Sequence, residues 1–283
     1  MKFAVVGGDL RSVMLAESLA ASGEKVSCYG LDHSRLSAEL KAGCLPACLY
    51  GADCVILPVP AARDGIVNTP LGDGKLTVSE LMSSLWAGQL ICGGKFDDEA
   101  RELGARQEVH IRDVLKDPDF AAGNGALTAE AALAQIITGT ESALGGSRIL
   151  ICGWGRTAKP LALKLHCLGA AVTAAARNAR ARAEIQALGM ESEDFDAVDY
   201  GSFDCIVNTV PARVIGDSRL CQIREDTLLL ELASPPGGFD MHLARNIGLK
   251  ALAAPGLPGR ISPRSAAELM RRAVFRAIEN GEE

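Results

Sequence analysis

Residues 148–158, RILICGWGRTA, constrain this chain more than any other stretch. An apolar run of strand length enters a G-x-G-x-x-A turn, and the helix-patterned AKPLALKLHCLG follows at once. In a doubly wound α/β unit this arrangement predicts dinucleotide binding, the other reading being a glycine turn with no ligand. The first glycine makes the tight turn, the second lets backbone approach a pyrophosphate at the helix N-terminus, and the small third residue lets helix and strand pack closely. Gly153, Gly155 and Ala158 stand at those places. A second strand, AAVTAAARN, arrives on schedule, and FDCIVNTVP, TLLLELA and LKALAAP read as further strands.

The chain has already built one such unit before that point. KFAVVGGD, KVSCYGLD, ADCVILPVP and LICGGK read as strands, and RSVMLAESLAASG and LTVSELMSSLWAGQ as helices. Alternation of this kind predicts an α/β protein with two Rossmann-like, doubly wound parallel-sheet domains separated by a cleft. Expected boundaries are 1–125 for a substrate-side domain and 126–261 for an NADP-binding domain, with an inter-domain helix over 128–144. A C-terminal helix, 262–283, is expected to cross back to the first domain. Ser262 reads as its N-cap and Pro263 as its first residue, and Ala266, Leu269, Met270, Ala273, Val274, Ala277 and Ile278 form its apolar stripe. The first unit's VVGGDLRS lacks the G-x-G spacing, so it is expected to carry no nucleotide.

Composition removes several other classes. A content of 48% hydrophobic residues with 30 glycines in 283 suits a soluble enzyme. Net charge of −6 offers no footprint for nucleic acid or an anionic membrane. MKFAVVGGDL is a first strand and not a signal peptide, and no apolar run is long enough to span a bilayer. The nine cysteines are odd in number, lack any CxxC, and sit mostly in apolar runs. Only Cys44 and Cys48 approach ligand spacing and no histidine completes a site, so reduced thiols in the cytoplasm and no metal are expected.

Gly153, Gly155, Arg156 and Thr157 are the candidate pyrophosphate turn. An NAD-binding unit usually carries a carboxylate at the end of its second strand. Here Ala175 and Ala176 stand there, followed by Arg177, Asn178 and Arg180, so NADP is expected rather than NAD: a guanidinium takes a 2′-phosphate well. The other reading of Arg177 is a solvated residue after a strand. Asn208, Thr209, Val210 and Pro211, then Ala233 and Ser234, then Pro255 and Gly256 each follow a strand, where they face the nicotinamide riboside or simply close a loop. In the first unit Asp9 and Arg11 are either substrate ligands or a solvated pair.

Taken in order, Gly7, Gly8, Asp9 and Arg11, the GWGRT turn, Asn208-Thr209 with Pro211, LASPPGG with Asp240, and APGLPG at 254–259 resemble the family of dipicolinate synthase A subunits. The resemblance implies oxidation of a cyclic, dihydrodipicolinate-type dicarboxylate from the diaminopimelate pathway to dipicolinate, with hydride passing to NADP. It also implies a partner, the flavoprotein-like B subunit of dipicolinate synthase, and a place in the mother cell during sporulation; a homo-oligomer is expected too. Such a substrate needs cations or amides for two carboxylates. Arg11 and Lys95 can supply cations, and Asn124, Thr128 and Glu130, in a family-like N---T-E pattern expected at a helix N-terminus, can face the same ligand. Thr128 reads equally well as a helix cap. Lys95 and Glu130 are catalytic candidates, and none of His33, His110, His166 and His242 lies in a matched motif. The rival readings are another NADP-dependent cleft dehydrogenase, of amino-acid or methylenetetrahydrofolate type, and a non-catalytic NADP-binding regulatory protein.

Overall fold

The computed structural model describes residues 1–280, in two compact units: Met1–Asn124 with the chain from Pro258 onward, and Gly125–Leu257. Unit 1 begins with β1 (Lys2–Val6), α1 (Leu10–Ala21), β2 (Lys25–Tyr29), α2 (Leu45–Leu49) and β3 (Cys54–Ile56). A small hairpin, β4 (Ala62–Arg63) and β5 (Ile66–Val67), precedes α3 (Val78–Ser83), β6 (Leu90–Gly93), α4 (Asp98–Arg106) and β7 (His110–Asp113). The five long strands are all parallel, in the order β2-β1-β3-β6-β7. That is the flavodoxin-type order, whose switch point lies between β1 and β3. Alternation along the strands divides the core between the two faces of the sheet. Ala4, Val6 and Val55 face one cluster, while Phe3, Val5 and Ile56 face another that contains Leu15 and Leu19 of α1.

The helix expected over 128–144 is α5, Pro118–Gly139, and it starts ten residues earlier. Asp117 sets that start: its Oδ1 accepts the Phe120 N–H at 2.9 Å, with Pro118 in the first position. Gly123 and Gly125 look like breakers in the sequence but are packing positions. A Cβ on Gly123 would come 2.7 Å from Leu269, and one on Gly125 would come 2.5 Å from the Arg156 carbonyl. α3 is also shorter than its sequence pattern suggests. A reciprocal Thr77–Glu80 capping box opens it, and it ends after six residues.

Unit 2 contains β8 (Arg148–Cys152), α6 (Ala158–Cys167), β9 (Ala171–Ala175), α7 (Ala179–Ala187) and β10 (Glu191–Glu193). It continues with β11 (Cys205–Asn208), α8 (Asp217–Leu220), β12 (Leu228–Glu231), α9 (Met241–Asn246) and β13 (Lys250–Ala253). The sheet is parallel throughout, ordered β10-β9-β8-β11-β12-β13. Numbered within the unit this is 3-2-1-4-5-6, the dinucleotide-binding order, with its switch point between β8 and β11.

APGLPG is only partly the pair of turns its prolines suggest. Gly256 has a left-handed φ of +65°, but Leu257–Ile261 forms a short helix, α10, and no positive φ occurs at Gly259. The last helix, α11 (Pro263–Glu279), starts where expected, although the Ser262 side chain makes no capping bond. Its buried Met270, Ala273 and Val274 join the cluster of Phe3 and Leu15 in unit 1.

Candidate functional site

The glycine turn after β8 has one closed side and one open side. Gly153 is buried at φ +103°, and its N–H donates to the Ala175 carbonyl at 2.9 Å. A Cβ there would lie 2.6 Å from Thr209 Oγ1 and 2.9 Å from Val210 Cγ2, so protein packing alone demands glycine. Gly155 is different: it is exposed, and nothing lies within 4 Å of where its Cβ would be. Arg156 is also exposed, and Thr157 holds the cap position of α6 without spending its side chain on it. The N–H groups of Gly155, Arg156, Thr157 and Ala158 have no acceptor among the described residues, while the Lys159 N–H is taken by the Gly155 carbonyl at 3.0 Å. The turn into this ten-residue helix thus offers backbone donors beside free space, which suits an anion.

The loops after β11 and β12 are held by a buried network. Glu231 closes β12; its Oε1 accepts from Asn208 Nδ2 at 2.7 Å and from the Ala233 N–H at 2.8 Å. Its Oε2 accepts the Gly238 N–H at 2.7 Å. Asn208 Nδ2 also donates to the Val210 carbonyl, and Asn208 Oδ1 accepts the Val210 N–H. Both polar atoms of Asn208 are thus occupied within the protein and the residue is wholly buried, so its expected role as a direct cofactor ligand is corrected to that of a fastener. Burial pushes the Glu231 carboxyl above its ordinary range against the pull of these donors. Sequence reading missed Glu231; the signal was a lone acid closing the apolar run TLLLE. Thr209 Oγ1 donates to the Cys152 carbonyl at 2.8 Å, tying the same loop to the glycine turn. Pro211, Ser234, Pro255 and Gly256 lie beyond the carboxyl ends of β11, β12 and β13, with Val210 and Ala233 beside them; those four are exposed, and Val210 and Ala233 are half-buried.

After β9, Arg177 and Arg180 are exposed, and no ion pair is formed by either among the described residues. Asn178 caps α7, its Oδ1 accepting the Arg180 N–H at 2.8 Å. Its side-chain oxygen is therefore taken, leaving its backbone for a ligand.

Unit 1 uses its own glycine turn for something else. The Gly8 N–H donates to the Asn68 carbonyl at 2.8 Å. A Cβ on Gly7 would come 2.8 Å from Thr69 Cγ2, and one on Gly30, just past β2, would come 3.2 Å from the same methyl. The loop after the β4–β5 hairpin lies where a nucleotide would meet this turn. Arg11 then stands out. Only 4% of it is exposed, and its Nε and Nη1 are buried with no hydrogen-bond partner. Burial pulls its guanidinium below the ordinary value, offset in part by Asp9. A solvated Asp9–Arg11 pair is excluded by that burial, and Asp9 Oδ1 is occupied in capping α1 through the Arg11 N–H. A buried guanidinium without an acceptor is costly, and an arriving carboxylate relieves the cost. Lys95 is exposed just past β6 in a left-handed conformation, φ +59°, with its N–H donating to Asp113 Oδ1 at 3.1 Å. A bulky residue held there is an outlier of the kind found at binding sites.

Asn124, Thr128 and Glu130 are not at a helix N-terminus. All three lie inside α5, which removes both the anion-favouring dipole and the capping role of Thr128. Glu130 is exposed and pairs with Lys164 at 3.1 Å. A cavity of about 440 Å³ in unit 1 is lined by Arg101, Arg112, Asp113, Lys116, Asp117 and Arg276 among others; Arg101 pairs with Asp113 at 3.1 Å and Arg276 with Asp117 at 2.7 Å, while Arg112 and Lys116 form no ion pair among the described residues. The nine cysteines are free thiols, six of them buried. Among the described residues no cluster of three metal-ligating side chains occurs, and no helix is long and apolar enough to cross a membrane.

The family model for the N-terminal domain of the dipicolinate synthase A subunit matches residues 2–115. The chain is 28% identical to the dipicolinate synthase A subunit of Bacillus subtilis (strain 168), over 98% of this chain and 96% of that one. A crystal structure of the B. subtilis protein superposes with a TM-score of 0.83 at 26% identity, covering 100% and 97% of the two chains. The corresponding dipicolinate synthase protein from Bacillus halodurans gives 0.88 at 25% identity, covering 98% and 97%. A transhydrogenase from Sinorhizobium meliloti shares the fold, with a TM-score of 0.70 at 15% identity over 98% and 93%.

Proposed function

We propose, for a chain related to the dipicolinate synthase A subunit along nearly its whole length, that it is an NADP-dependent oxidoreductase that makes dipicolinate from a dihydrodipicolinate-type precursor of the diaminopimelate pathway. The observation that carries the substrate side is Arg11, a buried cation with two unanswered donor nitrogens at the β1/β3 switch point. In this reading Arg11 takes one substrate carboxylate and Lys95 the other, with Asp9 keeping Arg11's helix start in place. Held as the cation on that carboxylate, Lys95 is protonated and does not accept the ring proton, which passes to water. Gly155, Arg156 and Thr157 hold the pyrophosphate, Arg177 and the Asn178 backbone the 2′-phosphate, and Thr209 to Pro211, Ala233, Ser234, Pro255 and Gly256 the nicotinamide riboside. NADP, when bound, supplies the hydride acceptor. The substrate ring gives up one hydride and one proton and becomes an aromatic pyridine, so gained aromaticity drives the reaction and modest acid–base help suffices. The relatives are named as one subunit of a synthase, which supports a partner subunit; in our reading that partner is the flavoprotein-like B subunit and the two work in the mother cell of a sporulating bacterium. We place the enzyme in the cytoplasm, as a homo-oligomer.

The test is NADPH and dipicolinate absorbance with NADP and freshly generated precursor, with and without the flavoprotein-like partner, for wild type and Arg11→Met. Methionine keeps the bulk and removes the unpaired charge. The variant is expected to hold or gain stability while its KM for the precursor rises roughly ten- to hundredfold, the worth of one charge-assisted contact, with NADP affinity unchanged. Wild-type KM in that variant would end the assignment of Arg11. Absence of dipicolinate under every condition would end the proposed reaction.

A further inference from the structure

The loop after β9 is shaped by a residue that makes no use of its charge toward solvent. Arg182, in the first turn of α7, points one nitrogen, Nη1, back at three acceptors: the Ala176 carbonyl at 2.7 Å, the Arg177 carbonyl at 2.9 Å and Asp194 Oδ2 at 2.9 Å. Asp194 follows β10, and the Ala176 N–H donates to the Glu193 carbonyl at 3.0 Å, so the loop is anchored to the neighbouring strand on that side. Peptide units are planar and trans, so a carbonyl drawn one way turns the next residue's N–H the other way. Two successive carbonyls drawn to one nitrogen therefore turn the Arg177 and Asn178 N–H groups together, away from Arg182. Neither N–H has an acceptor among the described residues. Successive N–H groups presented in this manner form a concavity that binds anions, and Arg177 and Arg180 stand exposed beside it.

Resting on the NADP reading above, we infer that Arg182, braced by Asp194, is the positioning residue that selects a 2′-phosphorylated nucleotide. It does so by fixing the orientation of two backbone donors and not by touching the phosphate. An unphosphorylated ribose makes little use of that concavity, so the device acts on NADP and spares NAD.

The experiment measures NADP and NAD affinities of the full chain by quenching of tryptophan fluorescence, Trp154 lying in the GWGRT turn, for wild type, Arg182→Ala, Arg182→Lys and Asp194→Ala. Melting temperatures are read on the same preparations. Arg182→Ala should weaken NADP roughly ten- to hundredfold and change NAD by less than about twofold. Arg182→Lys, which keeps donors for the carbonyls, should recover part of the loss. Asp194→Ala decides the mechanism by sign. If Arg182 acted only as a nearby positive charge, removing its counter-ion would tighten NADP; if it works by position, removing its brace must weaken NADP. Tighter NADP in Asp194→Ala, or equal losses of NAD and NADP in Arg182→Ala, would overturn the inference while leaving the NADP reading intact. A wild type that prefers NAD would overturn that reading, and the inference with it.

Discussion

Gly153 and Gly155 stand two residues apart in one turn, and the structure predicts opposite consequences for the same substitution. At Gly155 an alanine Cβ enters empty space and no positive φ is required, so the fold loses nothing. Restricting the unfolded chain should add about 0.4–1 kcal/mol of stability. At Gly153 an alanine meets φ +103° and two atoms closer than 3 Å. Backbone strain of ~1–3 kcal/mol and overpacking of similar size give a loss of roughly 2–6 kcal/mol. Ligand binding should follow the reverse logic. If a pyrophosphate rests against Gly155, the added methyl holds it off the N–H groups at the start of α6. Losing one or two charged hydrogen bonds there should weaken NADP by at least about tenfold. Thermal melts and fluorescence titration on the two variants suffice. The reasoning fails if Gly155→Ala binds NADP like wild type, because the open side of the turn would then face only solvent.

Two further substitutions probe unit 1 by melting and denaturant titration. A Cβ at Gly259 would fall inside the Asp9 carboxylate, so Gly259→Ala should cost ~1–3 kcal/mol by displacing the α1 cap, and Asp9→Ser in the same chain should restore most of it; an unperturbed single variant would refute the contact. Burial pushes the Asp117 carboxyl up, but the Arg276 and Phe120 bonds outweigh this and hold it below the usual aspartate range. Its contribution is therefore complete above that range and lost as pH falls through the lowered value. Asp117→Ala should cost roughly 1–3 kcal/mol at neutral pH and flatten the acid limb of the stability curve; an unchanged limb would assign that limb to other carboxylates.

How far the sequence could be read depended on whether a residue's partner lies near it in the chain. The central strands and the GWGRT turn were legible because apolar runs and glycine spacing are local signals; the edge strands β7 (HIRD) and β10 (ESE) were not, since neither carries an apolar run. α5 was misplaced because Gly123 and Gly125 are breakers by propensity, yet each is required by an atom far along the chain, Leu269 for one and the Arg156 carbonyl for the other. Asn208 carried the right address and the wrong duty, since nothing in NTVP announces that Glu231, 23 residues on, will claim its amide. Nothing in APGLPG announces that Gly259 is required by Asp9, which approaches it from the opposite end of the sequence. Arg11 could not be told from a surface arginine until its burial was seen.

The two units solve one topological problem with opposite outcomes. Each carries a glycine turn after its first strand, and in each that turn opens at the carboxyl edge of a parallel sheet, where ligands of such folds collect. In unit 1 the chain brings Asn68 and Thr69 against Gly7, Gly8 and Gly30, satisfying the Gly8 N–H internally, so no phosphate is needed there. What unit 1 leaves unsatisfied is a side chain, Arg11, and its buried nitrogens call for a small planar anion. In unit 2 the side chains of Asn208, Thr209 and Glu231 are spent holding backbone, and backbone N–H groups around Gly155 and at Arg177 and Asn178 have no acceptor among the described residues. Backbone donors beside exposed guanidiniums suit phosphates, whose oxygens accept from many directions. Which polar groups each unit consumes in its own folding thus leaves a buried guanidinium suited to a carboxylate in unit 1 and backbone donors suited to phosphate in unit 2.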